Sequence, residues 1–251
     1  MNQPLNYSSK YYEGIRSASA PSARQVVALV MDLIRPASVV DVGCGSGAWT
    51  RAFQEAGAEK TLGIDGFCVK DEQLLIDPKN FRRADLSQPL ELAEPFDLAV
   101  SLEVAEHLPP ARAASFVADL VRLSPVIMFS AAVPGQGGAH HINEQWPSYW
   151  TGHFARHQYT VFDVIRPRIW GNAEVKWWFR QNILLFVRQE AISRFAWAAH
   201  YLRTDAPLDI VHPEAYESAA LPAKMSPRML KEVARALPHF PAKIRAHLRH
   251  N

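Results

Sequence analysis

Apolar residues recur at helical spacing from Ala23 to Ile34, with Val26, Val27, Val30 and Ile34 on one side, and Arg35-Pro36 closes the run. Beyond that point the pattern changes to short apolar runs of strand length. These lie at Val39–Val42, Thr61–Ile64, Phe81–Ala84, Phe96–Leu102 and Val126–Ser130, with helical segments at Ala48–Ala56 and Ala111–Leu123. Strands apolar on both faces and alternating with helices predict an α/β domain with a mostly parallel sheet covered on both sides. Thr160–Ile165 and Ile183–Arg188 then predict a closing hairpin joined by a long excursion. The first 20 residues, polar around Tyr7, Tyr11 and Tyr12, predict an irregular arm. After Gln189 the chain reads as helices broken by Pro207, Pro213, Pro222, Pro227, Pro238 and Pro241. The expected division is residues 1–189 as the α/β domain and 190–251 as a helical extension. Within the first, 1–35 form an arm and helix and 131–180 an insertion.

Composition narrows the class. The 251 residues are 48% hydrophobic and 21% charged, with two cysteines, which excludes a disordered chain, a collagen-like repeat and a disulfide scaffold. No apolar run approaches the roughly 18 residues of a membrane span. The opening MNQPLNYSSKYYEG lacks a charged segment followed by an apolar one, so no secretory signal is expected. Cys44 and Cys68 suit a reducing compartment, and the expected location is the cytoplasm. Net charge is +2 but uneven: residues 224–251 hold seven Lys/Arg and one acid, leaving the first 223 with 20 bases and 24 acids. The basic tail reads as a solvated helix or as a contact for an acidic partner or an anionic surface. For the last 60 residues the open roles are covering the pocket, dimerising or binding a neighbouring enzyme. The acidic body, with no Lys/Arg interleaved with aromatics, speaks against nucleic acid as the partner.

The strand-to-helix junction Val39-Val40-Asp41-Val42-Gly43-Cys44-Gly45-Ser46-Gly47 carries the strongest local chemistry. Glycines there let a ligand approach the backbone, and the free N–H groups of the next helix face it. Asp65 ends the following strand, where it can hold a pair of ribose hydroxyls. Asp85, followed by Leu86, ends the third. An aspartate two residues before the first glycine suits a cationic or hydroxyl- and amine-bearing ligand better than a pyrophosphate. Asp41 to Gly47 resembles the first motif of the class I S-adenosylmethionine-dependent methyltransferases, and the likeness extends from about residue 25 to residue 130. It implies a Rossmann-like, seven-stranded, mostly parallel sheet with helices on both faces, and S-adenosylmethionine as cofactor. Carried over, Gly43, Gly45 and Gly47 pack on the methionine part, Asp65 binds the ribose, and Asp85 with Leu86 meets the adenine. Asp41, Cys44, Gly66, Leu102 and Glu103 complete the expected pocket.

Phe96 to Leu108 also looks like the family's fourth-strand motif, which places Glu103, Glu106 and His107 at the carboxyl edge of the sheet. Three readings stay open. Glu103 lines the cofactor pocket while Glu106 and His107 brace the loop; or His107 is a general base; or Glu103, Glu106, His107 and His141 hold Mg²⁺ or Mn²⁺. The last rests on a resemblance to the small-RNA 2′-O-methyltransferases and the ubiquinone-pathway O-methyltransferases. In both, a divalent ion holds the acceptor hydroxyl.

The block from Ala132 to Trp150 follows the fifth strand at the same edge, and its glycines suit a lid. Five of the seven tryptophans fall between Trp146 and Trp178. Expected acceptor-binding residues are Asn143, Glu144, Trp146, Tyr149, Trp150, Trp178 and Arg180, a mixture that suits a hydroxylated ring. The block resembles that of bacterial class I methyltransferases of glycan assembly and secondary metabolism, which implies a sugar or polyhydroxylated small molecule as acceptor. The expected reaction is in-line O-methylation, with His141 or His107 as base and His140 in reserve. A cofactor-binding protein without catalysis, or an RNA-docking subunit, is the alternative.

Overall fold

The computed structural model describes residues 9–66, 69–92, 94–201 and 207–220. Cys68 and the basic tail lie outside them. Seven strands, β1 (Ser38–Val42), β2 (Lys60–Asp65), β3 (Phe81–Arg83), β4 (Leu98–Leu102), β5 (Val126–Ser130), β6 (Tyr159–Phe162) and β7 (Leu184–Arg188), form one sheet in the order β3-β2-β1-β4-β5-β7-β6. All pairings are parallel except those of β7, which runs antiparallel to both β5 and β6. This is the Rossmann-like, doubly covered sheet that the alternating pattern predicts, closed by the expected antiparallel pair.

Period-two alternation sorts the strand residues onto two cores. Val39, Leu98, Val100, Met128, Leu185 and Val187 pack with Val26, Val30 and Phe53 from helices α1 (Ser9–Leu33) and α2 (Ala48–Glu55). Val40, Val42, Ala99, Ile127, Phe129 and Phe186 pack on the opposite face with Phe116, Leu120, Trp150 and Phe154. Those four come from α3 (Ala113–Leu123) and α4 (Pro147–Ala155). The excursion between β6 and β7 contains two short helices, α5 (Arg166–Ile169) and α6 (Trp177–Asn182).

The structure extends one element beyond its expected bounds. Within the expected irregular arm the described chain is already helical from Ser9, with Pro21 inside α1. Apolar periodicity reports which residues are buried, and a helix whose first turns lack an apolar stripe leaves no such trace. Pro21 removes only one donor from the ladder.

The chain divides at His212–Pro213 into two units. Residues 190–212 stay with the first: Ala191 and Ala198, the latter in α7 (Ala198–Tyr201), are buried in its core, and Trp197 donates its indole N–H to the Leu33 carbonyl (2.9 Å). The described part of the second unit is α8 (Pro213–Ala220). Among the described residues no helix is long and apolar enough to cross a membrane.

The strand order reverses direction between β1 and β4. The connections leaving their carboxyl ends diverge there and open a crevice, the usual ligand position in an open α/β sheet. The Asp41–Gly47 junction follows β1 and Glu103–His107 follows β4, so the topology brings the two motifs to one place.

Candidate active site

Between β1 and α2 the chain reverses through three glycines in the left-handed region, Gly43 (φ +86°), Gly45 (+55°) and Gly47 (+85°). Their surroundings differ. A Cβ on Gly43 would lie 2.3 Å from Val104 and one on Gly47 would lie 3.0 Å from Ile76, but one on Gly45 would meet nothing within 4 Å. Gly43 and Gly47 therefore permit packing, and Gly45 leaves bare backbone facing open space. Asp65, at the end of β2, accepts the Gly45 N–H on one oxygen and the Gly66 N–H on the other, both at 2.6 Å. Burial raises its carboxyl against those two bonds. Asp41, in β1, is buried and accepts the Thr50 hydroxyl at 2.9 Å. Burial lifts it to about 7 against that hydrogen bond, with the charge of Asp65 adding to the rise. The Cys44 thiol is buried too, and burial pushes it well above its usual range. On the outer side, Asp85 is exposed and accepts the Ser87 N–H (2.9 Å), with Leu86 half-buried beside it.

At the end of β4, beyond buried Leu102, Glu103 takes a left-handed conformation (φ +56°) that costs a non-glycine residue about 1–3 kcal/mol. Its N–H is fixed by the carbonyl and hydroxyl of Ser130, both at 3.1 Å. Its carboxylate accepts the side-chain amides of Gln136 (2.9 Å) and Asn182 (3.1 Å), and burial raises its pKa against these bonds. The 3₁₀ turn Ala105–His107 then points Glu106 inward. Glu106 is fully buried, and neither carboxylate oxygen reaches hydrogen-bonding geometry with any group. Burial, then the charge of Glu103, pushes its pKa well above the ordinary value.

His107 and His141 stand edge to face, with centroids 4.9 Å apart. His107 Nδ1 lies 3.3 Å from the His140 carbonyl, and His141 Nδ1 lies 2.9 Å from Glu144. A carbonyl or carboxylate only accepts, so in the neutral rings Nδ1 carries the proton and Nε2 the lone pair. Burial, reinforced by His141, pulls His107 down to about 4. One ligating atom each from Glu106, His107 and His141 lies within 4.8 Å of the others. Glu103, expected as a fourth ligand, stands outside this group, and its two oxygens accept Gln136 and Asn182.

In sequence, a family model described as a methyltransferase domain matches residues 15–181. The chain belongs to the methyltransferase-domain family. No curated protein sequence matches it. In structure it is similar to an O-methyltransferase family protein from Burkholderia thailandensis (TM-score 0.53, 11% identity, 72% of this chain and 60% of that one). A proposed O-methyltransferase from Nostoc punctiforme gives 0.52 and 8%, over 71% and 59%. A chain in the Haloferax volcanii complex of the Trm112 methyltransferase activator with a proposed methyltransferase gives 0.50 and 14%, over 72% and 94%. The methyltransferase spans about three-fifths of the first two chains, and at these identities the likeness is one of fold.

The chain carries a methyltransferase domain, and its crevice leaves room for a ligand at the first two strand ends. Gly45 faces open space, and each Asp65 oxygen takes one amide and keeps a second lone pair for a hydroxyl.

On the acceptor side of the methyltransferase, Asn143 is buried and its N–H donates to the Glu106 carbonyl (3.0 Å). His140 is exposed at φ +62°, and Trp146 is 37% exposed. Tyr149 is half-buried, edge-on to Trp150 and His153. Three residues expected to meet the acceptor also make packing contacts. Trp150 is buried against Phe129, Trp178 packs with Phe179 on the α1 side of the sheet, and buried Arg180 donates to the Trp170 carbonyl (3.0 Å). Conversely, the local sequence pattern assigns no part to Gln136, which bonds Glu103. The available signal for Gln136 was a single large polar residue flanked by Gly135 and Gly137.

Proposed function

We propose that this methyltransferase O-methylates a hydroxyl of a sugar or other polyhydroxylated small molecule, of the kind made in glycan-assembly or secondary-metabolite pathways. The acceptor oxygen is held at Glu106, His107 and His141. The observation that carries this reading is the Glu106 carboxylate, fully buried without a hydrogen-bond partner, with a ligating atom of His107 and one of His141 within 4.8 Å. An uncompensated buried charge is costly, and a cation or a proton relieves it. S-adenosylmethionine supplies an electrophilic methyl group, and its neutral thioether leaving group needs little stabilisation. The chain's task is to position the acceptor oxygen in line and lower its pKa; orientation contributes up to about 7–11 kcal/mol.

The favoured occupant of the cluster is a divalent cation. Two neutral imidazoles and a carboxylate suit Mn²⁺ better than Mg²⁺, which prefers an all-oxygen shell. Bound there, the ion lowers the pKa of a ligated hydroxyl. The His141–Glu144 contact supports a second, metal-free reading in which His141 accepts the hydroxyl proton. His107 is a poor base, because at about 4 its lone pair has little affinity for a proton.

Methyl transfer to a panel of sugar and phenolic acceptors, with chelated protein and after Mn²⁺ is restored, tests these readings. Turnover should fall strongly on chelation and return with the ion. Glu106→Gln should abolish the Mn²⁺ response with S-adenosylmethionine affinity nearly unchanged. Full turnover in chelated protein, lost in His141→Ala, would select the metal-free reading. Full turnover in both His107→Ala and His141→Ala would remove the cluster from the chemistry.

A further inference from the structure

The sequence groups Glu144 with acceptor-binding residues, yet its carboxylate is already engaged by the protein. One oxygen accepts the Gly135 N–H (2.8 Å), and the other accepts the Gly137 N–H (2.8 Å) and faces His141 Nδ1 (2.9 Å). We propose that Glu144 is a positioning residue: anchored by the glycine loop, it holds His141 as the Nδ1–H tautomer and so leaves Nε2 as the lone pair offered to the Glu106–His107–His141 cluster. The proposal rests on the cluster reading above and assigns Glu144 a part no substrate contact would give it.

Three features of the loop support it. Gly135 and Gly137 both hold left-handed conformations (φ +84° and +70°), and their amides converge on one carboxylate, an anion-binding nest made by the backbone. The His141 ring lies directly against the same loop: a Cβ on Gly138 would fall 2.2 Å from Nε2 and 2.4 Å from Cε1. Between those glycines, Gln136 bonds Glu103 and Asn182. A carboxylate that only accepts fixes the proton of a neutral imidazole on the nitrogen it faces, and such partners orient ligating histidines in metal sites. The seated loop therefore sets the tautomer of His141 on one side and restrains Glu103 on the other.

The test uses the full chain, wild type and the variants Glu144→Ala, Glu144→Gln and Gly138→Ala. Nitrogen NMR of labelled histidine in metal-free protein, above the imidazole titration range, reads the tautomer; calorimetry with Mn²⁺ reads the affinity. Wild-type His141 should be Nδ1–H. Glu144→Ala should move it toward Nε2–H and weaken Mn²⁺ binding about 10–100-fold. Glu144→Gln keeps an acceptor oxygen for Nδ1 and should restore the tautomer. Gly138→Ala, which forces the ring off the loop, should weaken Mn²⁺ binding with Glu144 intact. A wild-type Nε2–H ring, or a tautomer indifferent to Glu144→Ala, overturns the proposal. If Mn²⁺ does not bind wild type while the tautomer still follows Glu144, the metal reading fails and the positioning role stands.

Discussion

Asp41 lies inside the sheet and accepts the Thr50 hydroxyl, and burial there raises its carboxyl. Its carboxyl sits at about 7 in the folded chain against an ordinary 3.8. Between those values the folded state keeps a proton that the unfolded state has released. Stability therefore falls as pH rises through that window, at up to about 1.4 kcal/mol per unit of separation. Asp41→Asn keeps an acceptor for Thr50 and removes the titration. Its melting temperature should exceed that of wild type above about pH 7 and approach it below about pH 4, the ends of that window. Thermal melts across pH check this, and equal slopes in the two proteins would relieve Asp41 of that role. Asp41, Asp65 and Glu103 are all acids raised by burial at the edge of one crevice, the environment expected of groups kept for binding and not for stability.

The glycine turn separates two demands that look alike as a pattern. Gly43→Ala meets both a left-handed backbone and the Val104 side chain. It should cost about 2–4 kcal/mol and lower the melting temperature by several degrees. Gly45→Ala meets only the backbone strain, about 1–2 kcal/mol, but puts a methyl group into the open space above the turn. It should lose S-adenosylmethionine affinity out of proportion to its loss of stability. Thermal melts and calorimetry on the two variants distinguish these outcomes; equal loss of affinity at equal loss of stability would make the turn purely structural. The spacing Gly43-x-Gly45-x-Gly47 was legible because a strand running out into a helix needs such residues. Which glycine faces a neighbour and which faces space depends on Val104 and Ile76, which arrive from other segments. Helix α1 teaches the converse: its apolar half from Ala23 was legible, whereas its start at Ser9 left no pattern to read.

Across the whole molecule, the alternation of buried strands and helices specified the sheet and its switch point. Neighbours only 8–14% identical share that architecture, because burial pattern and crossover handedness constrain it more than residue identity does. Half of the site followed from the same logic, since Asp41–Gly47 and Glu103–His107 lie at adjacent strand ends. The other half arrives from the return of the chain. Gln136, His141 and Glu144 come from the loop after β5, and Asn182 from the end of α6, and no local spacing ties them to Glu103 or Glu106. The acceptor wall was the least legible part, because an aromatic residue that packs a core and one that lines a pocket share the same composition. All of it depends on the crevice between β1 and β4 binding S-adenosylmethionine through Asp65. Calorimetric titration of wild type and Asp65→Ala with that cofactor is the most direct test. Wild type should bind, and the variant should lose about 100-fold or more, as expected for charge-assisted hydrogen bonds of about 1.5–3 kcal/mol each. No binding by wild type, or equal binding by the two, would contradict the assignment of this crevice as the cofactor site.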